Sequence, residues 1–240
     1  DMNIFATSIM PGFAAAHHCD RHLGKMLMET AQILATSVRM RGGTDEDMPL
    51  TTKGTPYAMT HEHHPCCRWA RASRPNFLWL ADLGHYLGVE WKHRRGTEHA
   101  AAAACRHFAQ KHIAQIIPDI RCTDDRDGRR PGRWDWENAV VVACDETPRL
   151  RNLVDAPPLA MPDEFKHQGP DYCLGNAFQE SERNRAQWTA AQESYRDYIA
   201  YGKQEMNDGA GPQWLWMPDR RPDWFADRVD GVSRFQEEMV

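Results

Sequence analysis

The 240-residue chain carries a formal net charge of -5 at pH 7, with 29 Lys and Arg set against 34 Asp and Glu. That acidic balance excludes a protein that coats nucleic acid by bulk charge, although a local basic groove stays open. Leu, Ile, Val and Phe supply only about 16 % of the chain, and Ala, 11 Met and 9 Trp carry the remaining apolar volume. Scarce Val and Ile leave a sheet-dominated fold without its usual material, whereas Ala and Met favour helix.

A chain of this length is within the range of one domain, here residues 2–240. Asp1, before Met2, is read as a processing remnant. No run approaches the ~20 apolar residues of a membrane helix, and the N-terminus lacks the basic region, apolar stretch and cleavage site of a secretory signal. A soluble intracellular protein with no membrane partner is therefore expected. Seven Cys, an odd number without scaffold spacing, suit reduced thiols.

Between Asp20 and Met40, Leu23, Met26, Leu27, Thr30, Ile33, Leu34 and Val38 recur at three- and four-residue steps, predicting an amphipathic helix that Gly42-Gly43 stops. A loop follows through Pro56 to Pro65, ending in His61-Glu62-His63-His64-Pro65-Cys66-Cys67. A short helix over Cys67 to Ala72 is expected next. Ser73 and Pro75 then start a longer one that buries Phe77, Leu80, Leu83, Leu87 and Trp91. A further helix runs from about Glu98 to Ile117, before Pro118. Residues 118–160 read as a loop-rich insertion with a small β element over Ala139 to Cys144. From Gln179 to Met206 a long helix aligns Trp188, Ala191, Tyr195, Tyr198 and Ile199. An aromatic tail containing Trp214, Trp216, Trp224 and Phe225 should pack back onto the core.

At about 100° per residue, His22, Lys25, Glu29 and Gln32 share one sector on the flank of the first long helix's apolar stripe. The plain reading is a solvated face with one Lys25 to Glu29 pair. Lys before Glu is, however, the less favourable order for helix support. Arg68, Arg71 and Arg74, interleaved with Trp69 and Asn76, form a second constellation suited to gripping phosphate. Lys92, His93, Arg94, Arg95 and His99 form a third, for which compensation of the helix dipole is the simpler account. The Cys and His residues match no paired zinc spacing, so no metal site is assigned. Walker A, GxGxxG, HExxH and GxSxG patterns are absent.

Met2-Asn3-Ile4-Phe5, His18-Cys19-Asp20-Arg21-His22, Lys25-Met26 and Glu29-Thr30-Ala31-Gln32 open a series of ordered motifs. It continues through Thr60-His61, His64-Pro65-Cys66, Trp69-Ala70-Arg71, Ser73, Asn76, Trp79-Leu80, Glu90, Arg94, Gly96 and His99. Ala160 to Lys166, Tyr195-Arg196-Asp197-Tyr198, Lys203 and Pro222-Asp223-Trp224-Phe225 complete it. The series resembles a phage thymine-hypermodification family, the α-glutamyl/putrescinyl-thymidine pyrophosphorylases or amino acid:DNA transferases. Arg21 in place of Lys, His63 in place of Asn and the 118–160 segment depart from its pattern.

The resemblance implies a mainly α, single helical domain of DNA-glycosylase-like fold with a short N-terminal strand. It also implies an enzyme in the cytoplasm of the infected bacterial host. Its partners would be double-stranded DNA with a modified thymine and a free amino acid, glycine among the candidates. The amine would replace pyrophosphate on the C5 methylene of pyrophosphorylated 5-hydroxymethyluracil. No cofactor is assigned, and a divalent metal is left open. Displacing pyrophosphate calls for cations, a base and an extruded nucleobase. Arg68, Arg71 and Lys25 are candidates for holding the pyrophosphate, and Asp20 or Glu29 for taking the amine proton, with His22 and His64 competing. Gln32 joins the substrate-binding set, Asn76 would bond the uracil edge, and Trp69 or Trp79 would stack on the base. Arg94 and His99 would grip the DNA backbone. Two other readings use the same residues: a glycosylase or lyase with Lys25 as the attacking amine, and a non-catalytic DNA-binding module.

Overall fold

The computed structural model describes residues 2–118, 154–167, 177–218 and 221–229. It is mainly helical, with α1 over Pro11–Ala16, α2 over Asp20–Met40, α3 over Pro65–Ala72 and α4 over Arg74–Arg95. α5 spans Ala100–Phe108, α6 Lys111–Ala114 and α7 Ala177–Ala200. α4 is the central element and packs against α1, α2, α3 and α5. None of the helices among the described residues is long and apolar enough to cross a membrane.

α2 has the bounds its periodicity predicts, and Leu23, Leu27, Ile33, Leu34 and Val38 are buried along it. α4 begins where Ser73 caps it by accepting the Asn76 N–H, and it stops at Gly96, whose left-handed φ of 71° a side chain would strain. Phe77, Leu80, Leu83 and Leu87 are buried as expected, whereas Trp91 is only partly buried. α4 and α5 approach so closely that a Cβ at Gly84 would lie 2.4 Å from Cys105 Sγ and 2.9 Å from Thr30 Cγ2. Gly84→Ala should therefore destabilise the protein by about 1–3 kcal/mol, read as a lowered Tm. An unchanged Tm would show that this contact is looser than described.

Three expected elements differ from the structure. Met2–Phe5 forms no strand; it is a buried irregular segment. The single helix expected from Glu98 to Ile117 breaks at Gln110, which has extended backbone and starts α6. At the end of α6 the carbonyls of Ala114 and Ile117 meet Arg74, whose Nε donates to both at 3.1 and 2.9 Å. Arg74 is thus an interior clamp rather than a member of a phosphate-binding row. α7 ends at Ala200, and Asn207 and Asp208 follow with left-handed backbone. The β element placed over Ala139 to Cys144 lies outside the described residues. Within the tail, Trp214 and Phe225 do pack into the core, edge to face at 4.9 Å.

Candidate functional site

α2 brings Lys25 and Glu29 together on its flank, with Nζ 3.6 Å from Oε1. The lysine is exposed while the Glu29 side chain is only 10 % accessible. Oε2 accepts the backbone N–H of Asn3 at 2.9 Å. Burial raises the pKa of this carboxyl above its ordinary 4.5, and the Asn3 N–H and Lys25 only partly oppose the shift. A carboxyl so held is a stronger base than an exposed glutamate.

Beneath Glu29 lies a polar knot. The Asn3 side chain donates to Ala160 O at 2.8 Å and accepts from the Ile4 N–H at 2.7 Å. Tyr195, fully buried on α7, donates its hydroxyl to Pro158 O at 2.7 Å and lies 3.1 Å from Asn3 Oδ1. Cys66 is also close to Glu29, and burial pushes its thiol pKa up, so it is inert as a nucleophile. Asn3 and Tyr195 were not singled out as site residues from the sequence. The available signal was a lone Asn in the apolar Met2-Asn3-Ile4-Phe5 run, because a buried amide must be bonded to something.

His22 is buried on the same helix, its ring 4.8 Å from that of Phe5. Burial, then neighbouring His18, Lys203, Lys25 and Arg21, lowers its pKa to about 3. It is neutral at physiological pH, and its Nδ1 has no hydrogen-bond partner among the described residues. His18 is likewise held down to about 4, chiefly by burial, with Nδ1 2.7 Å from Ala14 O.

The other predicted residues divide sharply. Gln32 is half-buried further along α2, and Arg68 is exposed on α3. Arg71 donates to Glu62 O at 2.8 Å. His64 caps α3, its Nδ1 accepting the Cys66 N–H at 3.2 Å, and burial lowers its pKa. Asp20 is committed to the interior: Oδ1 takes Arg94 at 3.2 Å and Oδ2 takes the Trp216 N–H at 2.9 Å. Asn76 is fully buried and bonds Trp69 O, Asp155 Oδ2 and the Asp155 N–H, which leaves no edge for a uracil. Trp69 and Trp79 are core rings packed edge to face at 6.0 Å, with their N–H groups on Asp155 O and Ile9 O.

Arg94 corrects the sequence reading most clearly. Its side chain is 0 % exposed and bonds Glu90, Asp20, His18 O and Ala16 O, so it cannot reach a DNA backbone. His99 caps α5 through Nδ1, and its ring lies 4.8 Å from Trp91. Among the described residues no group of three or more His, Cys, Asp and Glu is placed to hold a metal. A cavity of about 340 Å3 opens in the C-terminal segment, between Gln204, Trp214 and Phe225, and no residue named from the sequence as a site residue lines it.

In comparisons with protein-family models, curated proteins and solved structures, nothing matches this chain.

Proposed function

We propose that this chain is a DNA base-modification enzyme of the phage kind, transferring an amino acid through its amine onto the C5 methylene of pyrophosphorylated 5-hydroxymethyluracil in DNA. The observation that carries the reading is Glu29: a carboxyl made more basic by burial, fixed by Asn3, and set beside the cation of Lys25. The donor's free amine attacks the methylene carbon. The C–N bond forms while the C–O bond to pyrophosphate breaks, and the proton of the new secondary ammonium passes to Glu29. Pyrophosphate leaves with the electron pair, its charge met by Lys25 and by the exposed guanidinium of Arg68. The step balances without a redox cofactor and is compatible with a divalent cation on the pyrophosphate. A base-flipping helical fold of the DNA-glycosylase kind, and action on phage DNA in the bacterial host, belong to the same proposal.

The lyase alternative asks Lys25, 3.6 Å from Glu29, to attack a sugar carbon as the amine. Pyrophosphate release separates the readings. DNA carrying the pyrophosphorylated base should yield pyrophosphate with the protein only when amino acids are added. Abasic sites or strand breaks without pyrophosphate would overturn the transferase in favour of the lyase.

A further inference from the structure

The exposed side of α2 links the Glu29 site to a second surface. At about 100° and 1.5 Å per residue, Arg21, Lys25, Met28 and Gln32 fall on one stripe roughly 16 Å long. Arg21, Lys25 and Met28 are all exposed. His22 and Glu29 border it on one side, and Gly24 borders it on the other. Against Gly24 lies the Trp91 ring, so close that a Cβ there would sit 2.7 Å from Cζ3. Beyond the N-terminal end of the stripe stands Trp216, edge-on to Trp91 with centroids 6.1 Å apart. Its backbone is anchored on Asp20, yet its ring is among the exposed large apolar groups, beside the still more exposed Leu215.

Arg95 lies over both rings, its guanidinium carbon 4.2 Å from the Trp216 centroid and 5.6 Å from that of Trp91. A guanidinium held over indole can still offer N–H groups to an anion. Neither Arg21 nor Arg95 is paired with a carboxylate among the described residues. Next to them, Lys92 and Arg106 share the single carboxylate of Glu98 at 3.0 and 3.8 Å. A local excess of positive charge around exposed indole, on a chain of net charge -5, selects a polyanion with flat apolar faces.

We propose that Trp216, Arg95 and Arg21 form a nucleic-acid platform, with an unstacked base of single-stranded or locally opened DNA on Trp216 and flanking phosphates on the two arginines. From there the strand follows the α2 stripe to Lys25 and Glu29, a run long enough for two or three nucleotides. This places the DNA contact one residue along from Arg94, about 100° around α4 and on its exposed flank. The inference rests on the reading of the chain as a DNA-acting enzyme, but binding tests it without any turnover.

The probes are a labelled single-stranded oligonucleotide of about 12 nucleotides and its duplex, titrated by fluorescence anisotropy at several salt concentrations, with intrinsic tryptophan emission followed in parallel. Wild-type protein should prefer the single strand, lose affinity as salt rises, and show quenched tryptophan emission on binding. Trp216→Ala should weaken binding about 5–150-fold at every salt concentration and remove most of the quenching. Arg95→Ala should weaken binding and lower the salt slope by about 1. Lys53→Ala, on the exposed turn at Thr51–Gly54, should change nothing. No binding by the wild-type protein, or equal binding by the Trp216 and Arg95 variants, overturns the platform. Loss of binding in those variants without any transferase activity in the wild type would retain the platform and reject the function proposed above.

Discussion

Glu29→Gln is expected to lower the rate of amine transfer by about 10²–10⁴-fold while the protein stays folded. The amide keeps the shape of the side chain and can still accept the Asn3 N–H, but it cannot take a proton from the attacking amine. Because burial raises the carboxyl pKa in the folded chain, its contribution to stability is fully present below the unfolded value and is lost as pH rises through the folded one. The neutral amide removes that loss, so at pH 7 to 8 the variant should be no less stable than wild type. The wild-type rate should climb with pH through the raised pKa, and the variant should lack that limb. Paired measurements of turnover and Tm against pH check this. A variant that loses both activity and stability would mark Glu29 as a structural anchor instead.

Arg94→Ala should destabilise the fold by about 3–5 kcal/mol, because it takes the buried guanidinium away from the buried carboxylates of Asp20 and Glu90 and orphans the carbonyls of Ala16 and His18. The triad ties the start of α2 to the end of α4, and through Asp20 it also holds the Trp216 backbone. Urea denaturation at neutral pH would show the loss as a lowered midpoint with the slope retained. If stability were unchanged and only DNA affinity fell, the buried clamp would be wrong and the backbone grip expected from the sequence would be right.

The helices were legible wherever spacing and caps agree. Asp20 to Met40 has a periodic stripe and a glycine stop, and Arg74 to Arg95 has Ser73 before it and Gly96 after it. The break at Gln110 was hidden, because no Gly or Pro marks it, and Arg74, which caps the carbonyls at the end of α6, is far away in sequence. Lys25 and Glu29 were legible as an i,i+4 pair, whereas the basicity of Glu29 depends on Asn3 and on burial that only the assembled fold supplies. Arg94 and Arg95 are adjacent yet face opposite environments, since one residue turns a helix by about 100°. Glu90, one turn before Arg94, was the clue that the first of the pair points inward. Asn76 was misread because amide chemistry suits a base edge and a buried carboxylate equally well; Asp155 claims it in the fold.

The most direct measurement is the mass of nucleosides from DNA carrying pyrophosphorylated 5-hydroxymethyluracil, digested after incubation with the protein and a mixture of amino acids. A nucleoside heavier than 5-hydroxymethyldeoxyuridine by one amino-acid residue, formed by wild type and absent with Glu29→Gln, is the predicted result and names the donor. Unchanged nucleosides with wild-type protein that binds the DNA would contradict the transferase.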